Sequence, residues 1–402
     1  MSVPIDVSGE PAGSVSDAGS YRLSLTAPGS HVLANEAGRG NLIIGSACLG
    51  KKADLRVAPD EAINWAAFDP FSTPAGSPWP RYIDYHGNDN SFFAWSQQRA
   101  IEQFSWAPAF ADRRAVDASA ARIQTLYIRL EGVSGRLEAT LPRIGNLALS
   151  GDLSRIAVAG QLPSLLSLHP ALGRRPGSPS HVLPDLGLLQ NVPELALYGA
   201  AQGQAISLDG IDRFPALESL SLHGSFTHWE ALAGLPRLTN LEIRFAPDLE
   251  GLPELVSWPL LDRFIAYNVD EAAGKRLKAQ LKAREKVRAW GGYTSVSKLR
   301  KPEWWKSEYG RPFSGWSGRM AKAANSGYDA AQSALETARN AEEVRAAITA
   351  FASHFNGMKG IETTEREDLG EAVWQFSQLA QVAGLGVTEE QAQSWFDEAR
   401  DY

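Results

Sequence analysis

Leu217-Glu218-Ser219-Leu220-Ser221-Leu222 and Leu238-Thr239-Asn240-Leu241-Glu242-Ile243 are two copies of one pattern, L-x-x-L-x-L, starting 21 residues apart. A weaker copy, Leu261-Asp262-Arg263-Phe264-Ile265-Ala266, begins 23 residues further on. Each has a proline a few residues upstream: Pro215, Pro236 and Pro259. Alternation at Leu220 and Leu222 marks a short strand with one buried face. The segment that follows, residues 226–235, is apolar at Trp229, Leu232 and Leu235, and is predicted to return the chain as a helix or a 3₁₀ turn. No such unit can bury its own apolar face, so the units are predicted to stack.

Upstream the pattern continues in degenerate form: Ile123/Leu126/Ile128, Ile144/Leu147/Leu149, Leu153/Ile156/Val158 and Leu166/Leu168. The short steps after Ile144 leave no room for a helix. These rungs are predicted to be strand–turn–strand, with Gly145, Gly151 and Gly160 at the corners. A Pro/Gly/Ser-rich loop at 170–184 interrupts the series, and Val192/Leu195/Leu197 and Ile206/Leu208 resume it.

The hexads and their spacing resemble the leucine-rich repeat family, in a degenerate, bacterial-type form. That resemblance implies a solenoid with parallel strands whose concave sheet is lined by the residues between the buried leucines. Carried onto this chain, it places Tyr127, Arg129, Asn146, Arg155, Tyr198 and Asp209 on the face, continuing through His223, Asn240, Glu242, Arg244, Arg263 and Tyr267. Tyr and Arg dominate interface energetics, so the expected partner is a protein. The competing reading is the solvated side of a half-buried sheet. Some leucine-rich repeat ubiquitin ligases carry a catalytic Cys in a helical C-terminal domain; the helical region here has no Cys, so the resemblance does not extend to that activity.

The 402 residues leave room for two or three domains, and 44% hydrophobic with 21% charged residues is an ordinary globular composition. A net charge of −7 argues against non-specific nucleic-acid binding by the whole chain. The single cysteine, Cys48, excludes an internal disulfide and fits a reducing compartment. No secretory signal and no membrane-spanning apolar run is legible, so the expected place is the cytoplasm, with no membrane partner. Export by a specialised secretion system would leave no such mark.

Residues 1–120 alternate Gly/Pro/Ser clusters with short runs at 21–25, 41–44 and 81–85, a β-rich N-terminal cap holding Trp65, Trp79, Trp95 and Trp106. After residue 269 the period changes. Residues 270–289 read as a basic helix, and 290–318 as an aromatic connector without helical spacing. Beyond it, Ser326-x-x-Asp329, Asn340-x-x-Glu343, Thr364-x-x-Glu367 and Thr388-x-x-Gln391 read as helix starts. The apolar stripes behind them predict a small bundle over 323–402.

Few residues suggest chemistry. Gly45-Ser-Ala-Cys-Leu-Gly50-Lys51 resembles a phosphate-binding loop, but position 52 is Lys where Ser or Thr would ligand Mg²⁺, so a tight turn is the preferred reading. Cys48 lacks a fixed His partner and is expected to be a buried structural thiol. His223 and His228, His354 with its neighbouring carboxylates, and the polar turn at 85–89 lack the spacing of a zinc or calcium site. No metal and no cofactor is expected.

Residues 271–322 stand apart: fourteen basic against four acidic residues, a net of +10, interleaved with aromatics. Arg288, Trp290, Lys301, Trp304, Trp305, Arg311 and Trp316 would suit single-stranded nucleic acid or an acidic partner. Residues 340–402 carry a net of −8 and could dock against this segment, so internal docking or an acidic protein partner is favoured over nucleic acid.

The expected fold class is thus α/β: a β-rich cap (1–120), a leucine-rich-repeat-like solenoid (121–269), a basic connector (270–322) and a helical bundle (323–402). The expected function is protein binding through the concave sheet, with neutralisation of a toxin or effector as one role. Nucleic-acid binding by the connector and an enzyme site in the N-terminal region or the bundle are the alternatives.

Overall fold

The structure, a computed structural model, describes residues 3–36, 39–173, 178–200, 203–307 and 309–402. Residues 174–177 of the loop expected at 170–184, and Glu308 of the connector, lie outside the described residues. The chain divides into two compact units, Met1–Leu299 and Arg300–Tyr402.

The first unit is built on one twelve-stranded, all-parallel sheet. Its strands are β1 (Asn41–Gly45), β2 (Leu55–Arg56), β3 (Tyr82–Tyr85), β4 (Ile101–Trp106), β5 (Ile123–Arg129) and β6 (Asn146–Gly151). They continue as β7 (Leu165–Pro170), β8 (Glu194–Tyr198), β9 (Ser219–His223), β10 (Asn240–Ala246), β11 (Arg263–Asp270) and β12 (Thr294–Arg300). From β3 to β12 each strand lies beside its predecessor, while β1 sits between β3 and β2 at the far edge.

The register explains why the leucines recur. One column runs Leu42–Ile83–Phe104–Leu126–Leu147–Leu166–Leu195–Leu220–Leu241–Phe264, each residue paired with the next on the adjacent strand. None of the ten is more than 2% exposed. Two residues on, a second column runs from Ile44, Tyr85 and Trp106 to Ile243 and Ala266, and is equally buried. Period-two alternation aims both columns at the core and the residues between them at the open face.

The sheet reaches well into the segment expected to be a separate cap. Residues 41–106 supply four of its strands, with aromatics where later strands use leucine. Trp65, Phe92, Phe104 and Tyr85 pack ring against ring, Phe92 and Phe104 stacking at 3.8 Å. Every indole there finds an acceptor: Trp65 Nε1 donates to Asp89 at 2.7 Å and Trp106 Nε1 to the Gly87 carbonyl at 2.8 Å. Trp79 and Trp95 donate to the Arg39 carbonyl and to Asp69. Such pairing lets a tryptophan be buried at little cost. A small separate sheet, Ile5–Asp6, Gly19–Leu23 and His31–Asn35, precedes them.

The strand–turn–strand reading at 144–168 needs one correction. Leu153, Ile156 and Val158 do not form a rung of the main sheet. Residues Ile156–Gly160 instead pair with Arg136–Leu141, and these with Arg113–Asp117, in a second parallel sheet. The short step thus crosses from one sheet to the other. Gly151 (φ 94°) and Gly160 (φ 97°) turn those corners, and a Cβ on Gly160 would lie 2.3 Å from the Leu141 carbonyl oxygen. Further on, residues 229–234 return the chain as a 3₁₀ turn that buries Trp229 and Leu232.

The first helix, α1 (Phe92–Gln98), lies between β3 and β4; after β11 the helix α2 (Glu271–Val287) starts on Asp270, whose side chain accepts from the Ala273 amide at 2.8 Å. The chain then adds β12 to the sheet edge, so part of the expected connector is strand.

The second unit is helical. It comprises α3 (Pro302–Ser307), α4 (Gly318–Thr337), α5 (Ala341–His354), α6 (Thr363–Ser377), α7 (Ala380–Gly384) and α8 (Glu389–Ala399). Val344, Ile348, Phe351, Phe355, Leu369, Val373, Phe376 and Phe396 form its core, joined by Leu335 of α4. Asn340 and Thr388 cap α5 and α8 as expected. Two starts are corrected. Ser326 lies inside α4, and the capping box of α6 is Glu362 with Glu365 rather than Thr364 with Glu367.

Candidate functional site

Between the buried columns, every second residue of β5–β11 rises on the open face. One row there runs Arg129–Ser150–His169–Tyr198–His223–Arg244–Tyr267. His169 and Tyr198 stack with centroids 4.1 Å apart and planes within 8°. Tyr198 and His223 stack at 4.6 Å, and the Arg244 guanidinium lies 5.5 Å from the Tyr267 ring centre. At the other end Arg129 reaches Asp84 at 3.2 Å, and Asp84 meets His86 at 3.3 Å. Two residues back, a lower row passes Tyr127, Ala148, Ser167, Ala196, Ser221 and Glu242. A third row holds Asn146, Glu194, Asn240 and Arg263.

Charges on this face are matched at close range. Glu242, 16% exposed, accepts from Arg244 and lies 3.7 Å from Arg263. Burial pushes the His169 and His223 imidazoles below their usual range, and Arg244 adds to the effect at His223. Burial raises the Tyr198 phenol, with Tyr127 and Glu242 adding to it. The centre of the row is therefore a neutral aromatic stack between two ion-paired arginines.

Just past the row the alternation breaks, directly after β9 and within β10 and β11, which pair again at Ala246 and Val269. The next residue is left-handed on three successive strands: Gly224 (φ 103°), Phe245 (φ 54°) and Asn268 (φ 51°). Glycine adopts that conformation freely and asparagine more readily than most residues, so packing must hold Phe245 there. The Phe245 ring meets Tyr267 edge-on at 6.1 Å.

Of the twelve residues assigned to the face, ten lie on it. Arg155 and Asp209 do not. Arg155 follows β6 in the crossing to the second sheet, where it donates to Asp152 and to the Ser134 carbonyl. Asp209 sits in the exposed turn after Ile206–Ser207. Sequence reasoning passed over His169 and Asp84, and weighed His86 only as part of the polar turn at 85–89. The signal for His169 was present, because Leu166-Ser-Leu-His169 repeats Leu220-Ser-Leu-His223. His228 is turned elsewhere, with Nδ1 2.9 Å from Ser207 Oγ.

The basic aromatic residues divide between the two units. In the first, Arg284 stacks on Trp290 at 4.3 Å, and Arg288 donates to the Pro259 carbonyl at 2.5 Å. In the second, Trp304, Trp305 and Tyr309 cluster edge to face, while Lys301 starts the turn into α3. Arg311 pairs with Asp329 at 2.6 Å and Trp316 Nε1 donates to Asp368 at 2.8 Å. These last two residues are thus engaged by the bundle.

Cys48 is exposed, not buried: it lies in the 3₁₀ turn Ala47–Lys52, which contributes nothing to the core. That turn, between β1 and β2, occupies the stretch resembling a phosphate loop. Among the described residues no group of three or more His, Cys, Asp or Glu could hold a metal ion, and no helix is long and apolar enough to cross a membrane. Comparison with protein-family models, with curated proteins and with solved structures yields no match.

Proposed function

We propose that residues 41–300 form stacked coils of the leucine-rich repeat kind, and that their open sheet face binds a protein partner. The observation that carries this reading is the row from Arg129 to Tyr267, unbroken across seven strands. At a strand spacing of about 4.8 Å it extends for roughly 29 Å. With the two rows beside it, about 13 Å across at 3.3 Å per residue, the face spans roughly 400 Å² in projection, about half of the ~800 Å² that one partner contributes to a stable protein interface. Stacked Tyr and His rings flanked by Arg are already ordered, so little side-chain entropy is lost on binding.

Charge favours a protein over a polyanion here. Arg129, Arg244 and Arg263 are balanced by Asp84, Glu194 and Glu242, and all three arginines have a carboxylate within 4 Å. A phosphate backbone would have to break those pairs, whereas a polar protein surface can join them. The net charge of −7 steers the chain toward a basic partner, as neutralisation of a toxin or effector would use.

The test takes a partner captured by the wild-type chain, purifies it, and measures its affinity for an Arg244→Glu plus Tyr267→Ala variant. The expected outcome is a loss of tenfold or more, with Arg155→Ala unchanged. Equal affinity for all three proteins counts against the sheet face.

A further inference from the structure

A second site lies away from this face, at the N-terminal ends of β4 and β5. There a cleft of about 960 Å³ opens between the loop 69–78 and residues 98–102 and 121–124. That volume is within the range of small-molecule pockets. The loop is pinned by the segment at Gly13, which also lines the cleft: the Gly13 amide donates to the Asp69 carbonyl, and Ser72 Oγ to the Gly13 carbonyl at 3.1 Å. The cleft is thus bounded by hydrogen-bonded backbone.

Arg99 lines it and is only 9% exposed. Its Nη1 donates to the Phe68 carbonyl at 3.2 Å, its guanidinium lies 4.8 Å from the Trp95 ring centre, and its Nη2 is buried without a hydrogen-bond partner. Burial lowers its pKa to about 10, against the pull of Asp69. A guanidinium held out of water with a nitrogen unsatisfied is costly, and a buried polar atom left so invites an ion or ligand. Two more arginines, Arg122 and Arg143, line the same cleft. Of its acids, Glu102 is neutralised by a bidentate pair with Arg81 at 2.7 and 2.8 Å, and Asp69 accepts from the Trp95 indole at 2.8 Å. Three arginines against the one carboxylate not ion-paired elsewhere, Asp69, leave the cleft locally positive in a chain of net charge −7. Phe71, Pro78 and Ile101 supply an apolar wall.

We propose that this cleft binds a small organic anion, its carboxylate or phosphate held by Arg99, Arg122 and Arg143 and its body against the apolar wall. The proposal stands whether or not the sheet face binds a protein.

The experiment is calorimetric titration of the whole chain at low ionic strength with phenyl phosphate, inorganic phosphate, benzoate and citrate. Sodium chloride at matched ionic strength is the control. Saturable binding of at least one probe is expected. Arg122→Gln plus Arg143→Gln should weaken it tenfold or more, and Arg99→Met should abolish it. The arms separate phosphate from carboxylate recognition. The double variant keeps the test valid if Arg99→Met fails to fold, because both its sites are exposed. No binding beyond chloride, or equal affinity in the double variant, overturns the proposal.

Discussion

At the centre of the open face, Tyr198 lies between His169 and His223, and each stack is worth about 0.5–1.5 kcal/mol beyond burial. The two imidazoles sit below the ordinary value of 6.5 because burial disfavours their charged form. Glu131 at His169 and Glu242 at His223 pull the other way without outweighing burial, while Arg244 acts with burial at His223. In the window between the lowered values and 6.5, the unfolded chain binds more protons than the folded one. Stability therefore falls as pH drops through that window, and these groups change nothing above it. Denaturant unfolding at pH 7.5 and 5.5 should show a larger acid loss for the wild type than for His169→Gln plus His223→Gln. Equal losses would contradict the assignment. At this scale the alternation told which residues face outward, because period two follows from backbone geometry alone. It could not tell that Arg155 and Asp209 lie beyond their strands, since a turn of one or two residues moves a side chain to another surface. Cys48 was misjudged for a similar reason: residue type predicts burial only on average, and here the turn decides.

Among elements, the buried columns set the architecture. Successive members from Ile83 to Phe264 lie 19 to 29 residues apart, and each fills the space left by its neighbour. Leu220 is 0% exposed, so Leu220→Ala should cost about 2–5 kcal/mol in lost burial and residual cavity. Ser221→Ala, on the open face, should stay within about 0.5 kcal/mol. Urea unfolding of both variants checks the alternation, and similar losses would contradict it. The hexads were legible from residue 217 on because whole L-x-x-L-x-L units recur there at the nearly even steps of 21 and 23 residues. Earlier strands put Tyr85, Phe104 and Trp106 in the same columns, and aromatics in a loop-rich segment hide the period. The helix starts were less secure. Asn340 and Thr388 cap, whereas Ser326 has the same local pattern inside α4, where packing of Ala324, Tyr328 and Ala331 carries the helix through it.

For the molecule as a whole, the chain joins a long parallel sheet to a separate helical unit with its own core. The basic segment 271–322, one block in the sequence, is divided between them at residue 299. Composition revealed its charge but not that Arg311 and Trp316 would be taken up by Asp329 and Asp368. What the sheet offers is a rigid, pre-ordered row of aromatic and ion-paired side chains. The most direct measurement of its role is photo-crosslinking in cells from a benzophenone amino acid placed at position 198 or, separately, at position 155. A protein adduct from 198 and none from 155 is the expected result. Adducts of equal yield from both positions, or from 155 alone, would contradict the face as the place of binding.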